Sequence, residues 1–183
     1  MYFDGISVFY FRQNVPLFYI QNIVDRKITF FKENIELNTF KTPSNDQITA
    51  ILENSKTIAV IGSSSNPYRT SFHIAQYLQQ QGYGIIPINP NEKEVLGEKV
   101  YNSILDIPDS VEIGVIDIFR NKEFTHEMLQ EIAEWSDKTG QKPLVWTQLD
   151  VSNTKAEEIA EENELPYVKN KCLMVEHRNL VKG

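Results

Sequence analysis

The sequence predicts an α/β fold, a doubly wound parallel sheet with helices on both faces, built from residues 43–183 and preceded by an N-terminal extension over residues 1–42. Three observations carry this prediction. From residue 43 onward the hydrophobic periodicity switches repeatedly between short apolar runs and helical stripes. The apolar runs are separated by helix-length segments, so they cannot pair as hairpins and pair in parallel through right-handed crossovers. A chain of 183 residues with 41% hydrophobic and 23% charged residues has the composition of an ordinary globular protein and needs no disulfide or metal staple.

In order, Ser44 and Gln47 form a capping-box pattern that opens a helix through about Asn54, with Ile48, Ile51 and Leu52 as its apolar stripe. A strand is expected at Thr57–Ile61, then a polar turn from Gly62 to Arg69. Thr70 or Ser71 is expected to cap the next helix, which Gly82 stops. A second strand spans Gly84–Asn89 and is closed by Pro90, and a short extended piece lies near Lys99–Tyr101. Val111–Ile118 reads as the next strand and Lys122–Thr139 as a helix ended by Gly140. Leu144–Thr147 is a strand, Asn153–Glu162 a helix, Pro166–Val168 a short strand, and the last helix contains Leu173–Leu180.

Residues 1–40 are of another composition. They hold ten of the chain's twenty aromatics and no alanine, and their charges cancel, so the net charge of −7 belongs to residues 41–183. Two readings stay open for this extension: an aromatic arm that docks on a partner, a sheet edge or a membrane surface, or poorly ordered upstream sequence translated from a misplaced start.

The acidic balance repels a phosphate backbone and argues against nucleic acid as a partner. No run of 18 apolar residues points to a membrane span and no signal-peptide order is present, so a cytoplasmic protein is expected. Cys172 is the single cysteine, and with His73, His126 and His177 scattered it offers no zinc-ligand spacing.

In a doubly wound sheet, ligands bind beyond the carboxyl ends of the strands, and the first strand-to-helix turn supplies the anion site. Gly62–Ser71 places one glycine, four serines, Asn66 and Arg69 in that turn, where free N–H groups, hydroxyls and a helix dipole favour phosphate. No Gly-Lys-Ser/Thr occurs, which excludes a P-loop. Gly62-Ser63-Ser64 in the turn and Asn89-Pro90 after the second strand, in place of glycines and an acidic residue, demote NAD.

The series Ala59-Val60-Ile61-Gly62-x-Ser64, Asn66-Pro67-Tyr68-Arg69-Thr70-Ser71, Ala75-x-Tyr77-Leu78, Gly82-Tyr83 and Ile86-Pro87-Ile88-Asn89-Pro90 continues through Glu94-x-Leu96-Gly97, Tyr101-x-Ser103 and Asp106-Ile107-Pro108. It runs on through Asp117-Ile118-Phe119-Arg120, Trp146-x-Gln148-Leu149-x-Val151 and Lys171-Cys172-Leu173-x-x-Glu176-His177. Over roughly residues 45–180 this resembles the stand-alone bacterial and archaeal CoA-binding proteins, themselves similar to the N-terminal domain of the succinyl-CoA synthetase alpha subunit. The resemblance implies a Rossmann-like, nucleotide-binding domain that holds coenzyme A or an acyl-CoA noncovalently. By it, Gly62, Ser63, Ser64, Asn66, Arg69 and Ser71 hold phosphates, Asn89 and Pro90 shape the nucleotide pocket, and Phe119, Arg120, Trp146 and Gln148 line the remaining cleft. Three positions depart from that family's pattern: Asn121 stands where a second arginine is common, Asp150 where a glycine is, and Asn170-Lys171-Cys172 where Asp-Arg-Cys is. If Asp150 faces the cleft it opposes an anion.

Single residues leave alternatives. Cys172 is either a partner for the CoA thiol in a mixed disulfide or a small buried side chain. Glu176 and His177 are adjacent, point about 100° apart on a helix and read as a cap or surface pair. Trp146 either stacks on a base or fills the core, and His73 either touches phosphate or lies exposed. No nucleophile–base set and no paired-carboxylate site emerges, so binding without catalysis is the reading. Its alternatives are an NAD(P)- or acyl-CoA-dependent enzyme and a CoA-gated interaction module with a protein partner or a second copy of the chain.

Overall fold

The computed structural model describes residues 42–182, so the aromatic-rich extension falls, but for Thr42, outside the described residues. Ser44 opens helix α1 (Asn45–Asn54) with both bonds of the capping box: its hydroxyl accepts from Gln47 N–H, and Gln47 reaches back to the Ser44 N–H. Strand β1 (Thr57–Ile61) follows, then α2 (Thr70–Gln80) and β2 (Gly84–Ile88). A two-stranded antiparallel hairpin, β3 (Glu94–Val95) and β4 (Glu98–Lys99), precedes β5 (Val115–Ile118) and α3 (Thr125–Thr139). The chain ends with β6 (Leu144–Thr147), α4 (Thr154–Glu162), β7 (Tyr167–Val168) and α5 (Leu173–Val181).

The five long-range strands form one parallel sheet in the order β2-β1-β5-β6-β7. Burial on both faces explains why β1, β5 and β6 are nearly unbroken apolar runs. Alternation then sorts their side chains. Ile58, Val60, Val115, Leu144 and Trp146 pack with α1, α2 and α5, whereas Ala59, Ile61, Ile116, Ile118 and Val145 pack with α3 and α4. This is the expected doubly wound architecture, and no helix among the described residues is long and apolar enough to cross a membrane.

Local expectations needed three corrections. Arg69, not Thr70 or Ser71, is the N-cap of α2, and it caps through its backbone: Phe72 and His73 N–H groups donate to its carbonyl. Strand β5 begins at Val115 and not at Val111, because the Ile113 N–H is taken by Gln141 Oε1 at 2.9 Å. Residues Lys122–Phe124 form a separate 3-10 turn capped by Asn121, whose side chain accepts from Glu123 N–H, before α3 proper starts. The extended piece around Lys99–Tyr101 is real but divided, with Tyr101 bridging to Ile88 on the outer edge of β2. There the Tyr101 N–H donates to Pro87 O at 3.0 Å and Asn89 N–H to Tyr101 O at 2.9 Å.

Two residues of the sheet's carboxyl end have large energetic weight. Gly62 leaves β1 with φ +79°, and a Cβ there would collide with the carbonyl oxygen of Phe119 on the neighbouring strand exit. Gly62→Ala should therefore cost about 2–4 kcal/mol, read as a lower urea midpoint at unchanged m-value.

Asp117 is fully buried in β5, paired in register with Val60 and Trp146. Burial pushes its carboxyl from 3.8 up to about 7 against the bond it accepts from Gln148. The native state holds that proton while the unfolded chain releases it, so stability falls as pH rises from about 4 to 7 and the whole penalty stands above 7. A shift of this size is worth on the order of 4 kcal/mol. Asp117→Asn should abolish this component of the pH slope, leaving the variant more stable than the native chain at pH 8 and close to it near pH 4, by urea unfolding at each pH.

Candidate functional site

The sheet order makes β1 the point where topology reverses: the chain crosses to β2 on one side and to β5 on the other. The crevice that opens there, beyond the strands' carboxyl ends, is where a doubly wound sheet takes its ligand. Hydrogen bonding carries the ladder one residue past the strands. Gly62 N–H donates to Ile88 O and Phe119 N–H to Ile61 O, each at 2.8 Å, so the loops after β1, β2 and β5 leave the sheet side by side.

The loop after β1 is shaped by its own short side chains. Asn66 Oδ1 accepts from Tyr68 N–H at 2.9 Å and its carbonyl from Arg69 N–H at 3.0 Å, while Ser64 Oγ accepts from Asn66 N–H at 3.2 Å. Asn89 ties the neighbouring loop to it by donating from Nδ2 to Ser63 O at 2.7 Å. The N–H groups of Thr70 and Ser71 donate to nothing among the described residues, which leaves the first turn of α2 open to an acceptor. Arg69 is exposed and forms no ion pair among the described residues.

One acidic residue enters this loop. Glu92, three residues past Asn89, accepts from Ser64 Oγ–H at 3.1 Å, from Ser65 N–H at 3.0 Å and from Ser65 Oγ–H at 2.7 Å. The Ser65 hydroxyl and N–H hold its carboxyl below the usual carboxylate range. The donors of Ser64 and Ser65 thus fit an anionic group, here a carboxylate.

Beside the loop lies a cleft of about 540 Å³ lined by Thr70, Phe119, Arg120, Asn121, Gln148, Leu149, Val151 and Cys172. Gln148 is almost fully buried, and its Nε2 donates to Asp117 Oδ1 at 2.8 Å. That bond fixes the side-chain amide and leaves Oε1 without a donor among the described residues. Arg120 is exposed and forms no ion pair among the described residues, as is the case for Arg69.

Most of the expected site residues are thus found in two adjoining groups. Gly62, Ser64, Asn66 and Arg69 make the loop, with Asn89 and Pro90 at the end of β2 behind it. Phe119, Arg120 and Gln148 line the cleft. Others are placed differently. Ser63 and Ser71 are buried, and the Ser63 hydroxyl has no partner among the described residues, so neither side chain stands on the open face of the loop. Trp146 does not line the cleft: it is wholly buried on the α1–α2–α5 face, and its indole N–H donates to Lys171 O at 2.7 Å. Periodicity explains this, because Trp146 alternates onto that face within β6, whereas Gln148 follows the strand's last residue.

The positions that depart from the family pattern are also accounted for. Asp150 has φ 59°, the left-handed region that favours glycine, and its exposed carboxylate lies 3.6 Å from Lys122 Nζ outside the cleft lining. Neither Asp150 nor Lys122 is among the residues that line the cleft. Glu176 pairs with Lys171 at 3.4 Å, and His177 is buried with Nδ1 2.9 Å from the Tyr77 hydroxyl, burial lowering its pKa. His177 thus joins α5 to α2 from the interior and is not part of a surface pair, while Glu176 is held by Lys171. His73 lies exposed. The sequence reading missed Glu92, Thr70, Leu149 and Val151 as site residues. Thr70, Leu149 and Val151 lay within the motifs that carry the family resemblance, and Glu92 had as its signal only an acidic side chain just past the second strand.

A family model described as a CoA binding domain matches residues 56–178. The uncharacterized protein YneT of Bacillus subtilis is 33% identical over 137 residues, 75% of this chain and 96% of that one. The alpha subunit of an ADP-forming acetate–CoA ligase II of Pyrococcus furiosus is 33% identical over 119 residues, but this chain spans only 25% of its length. Among solved structures, a hypothetical protein of Pyrococcus horikoshii is 38% identical with a TM-score of 0.68, covering 76% of this chain and 93% of that one. With the Rossmann-like sheet, the loop and the cleft in place, this match over most of the described residues means that the chain belongs to the CoA-binding-domain family.

Proposed function

We propose that residues 43–183 form a domain that binds coenzyme A or an acyl-CoA noncovalently in the cytoplasm, residues 1–42 being an extension that precedes it. The observation that carries this reading is the pairing of an anion-holding loop with an adjoining cleft, flanked by the two unpaired arginines Arg69 and Arg120.

In this reading the diphosphate lies on the loop, against the backbone of Gly62 and Ser63, the Ser64 hydroxyl, Asn66, Arg69 and the free N–H groups of Thr70 and Ser71. The nucleotide end lies toward Asn89 and Pro90. The remaining arm follows the cleft along Phe119, Arg120 and Gln148, where apolar Leu149 and Val151 exclude water from one side and Gln148 Oε1 accepts from a donor on the ligand. CoA itself supplies a thiol that carries acyl groups as thioesters, and the chain's residues bind and orient it. The global charge of −7 opposes a polyanion, so local donors and the two arginines must outweigh it.

Isothermal titration with CoA, acetyl-CoA, NAD and ATP tests the reading. CoA or its thioester should bind in preference to NAD and ATP. Arg69→Ala and Arg120→Ala should each weaken CoA about tenfold or more, the size expected for a charge-assisted hydrogen bond. Binding of NAD alone, or unchanged CoA affinity in both variants, overturns it.

A further inference from the structure

Of the donors assigned to phosphate, the Ser64 hydroxyl is already engaged, together with both donors of Ser65 beside it. Ser64 and Ser65 hydroxyls have one proton each and the Ser65 N–H has one, and all three point at the carboxylate of Glu92. A donor with a single proton cannot serve two anions at full strength, so a phosphate enters this part of the loop only by replacing the carboxylate. Glu92 is delivered by the turn that closes β2, its N–H donating to Asn89 O at 3.2 Å, while the Asn89 side chain holds the Ser63 carbonyl. The side chain that competes and the side chain that shapes the pocket therefore come from one short segment. No lysine, arginine or histidine among the described residues lies within ion-pair distance of Glu92, so the loop's donors are its protein partners.

We propose that the Glu92 carboxylate is a built-in competitor for the phosphate donors of the loop, displaced by the phosphate groups of a nucleotide ligand and setting how much negative charge that ligand must bring. The inference rests on the CoA reading for the identity of the ligand but not for the exchange itself. A diphosphate, with Arg69 as a second holder, displaces the carboxylate more readily than a monophosphate does, and a neutral nucleoside has nothing to exchange for it. Selectivity then comes from an element built against weak anions as much as from contacts to the right one.

Glu92→Gln removes the charge and keeps an oxygen for the Ser65 donors, and Glu92→Ala removes both. Titrations of native chain and variants with CoA, ADP, NAD, AMP and adenosine, alongside thermal melts to confirm folding, make the test. Both variants should bind CoA about tenfold more tightly, the gain should extend to AMP, and adenosine should be unaffected. Unchanged or weaker CoA binding in either folded variant overturns the competitor role while leaving the CoA reading in place, and so does an equal gain with adenosine. A gain seen with ADP or NAD when CoA binds none of the proteins overturns the CoA reading and leaves the competitor role standing. Failure of all five ligands on all three proteins overturns both.

Discussion

The ligand-facing end of this molecule depends on one close approach. The carbonyl of Phe119 occupies the space that a Cβ on Gly62 would need, and the bond from the Phe119 N–H to Ile61 O holds the exits of β1 and β5 together. With any side chain at position 62, β1 and β5 would have to separate at their carboxyl ends. The loop after β1 and the cleft after β5 would then no longer share an edge. The same glycine supplies the positive φ that turns the chain away from the sheet toward Arg69 and α2, so packing and site geometry impose one requirement on one residue.

Around that point two carboxylates sit in opposite regimes. Asp117 is sealed in the sheet, where burial favours its protonated form, and one oxygen accepts from Gln148 while the other finds no partner among the described residues. Glu92 lies at the surface with three donors on it and favours its ionised form. Desolvation governs the first and hydrogen bonding the second. The overall acidity of the chain therefore says little about the field at the site, which is composed from individual groups: two exposed guanidiniums, open N–H groups at the start of α2, and one carboxylate held among serines.

Legibility in the sequence followed the range of the interactions. The capping box of α1 and the strands at Thr57–Ile61 and Leu144–Thr147 were readable because apolar runs and local turn chemistry determine them. The start of β5 was not, since the group that removes Ile113 from the ladder is Gln141, in the turn after α3. The polar loop was likewise visible as a local string of Ser, Asn and Arg. Leu149, Val151 and Thr70 become neighbours only when β1, β5 and β6 are laid side by side. Trp146 shows a different limit: a motif resemblance places it near the ligand, whereas strand alternation and its bond to Lys171 place it in the core. At Asp150 the resemblance was informative for a backbone reason, since the family's glycine matches the φ of 59° that the aspartate adopts here.

The segment at Tyr101 has a consequence for the chain's dealings with other copies of itself. Strand β2 is an outer strand, and such strands invite a neighbouring chain to add to the sheet. Here Pro87 has no N–H to offer, its carbonyl is already bonded to Tyr101, and the N–H of Asn89 is given to the Tyr101 carbonyl. Lys99, its ammonium 5.0 Å from the centre of the Tyr101 ring, adds a charge on the outside of the same segment. A second molecule seeking to extend the sheet along the carboxyl half of β2 must first peel this covering away, so the half of that border nearest the site is closed from within.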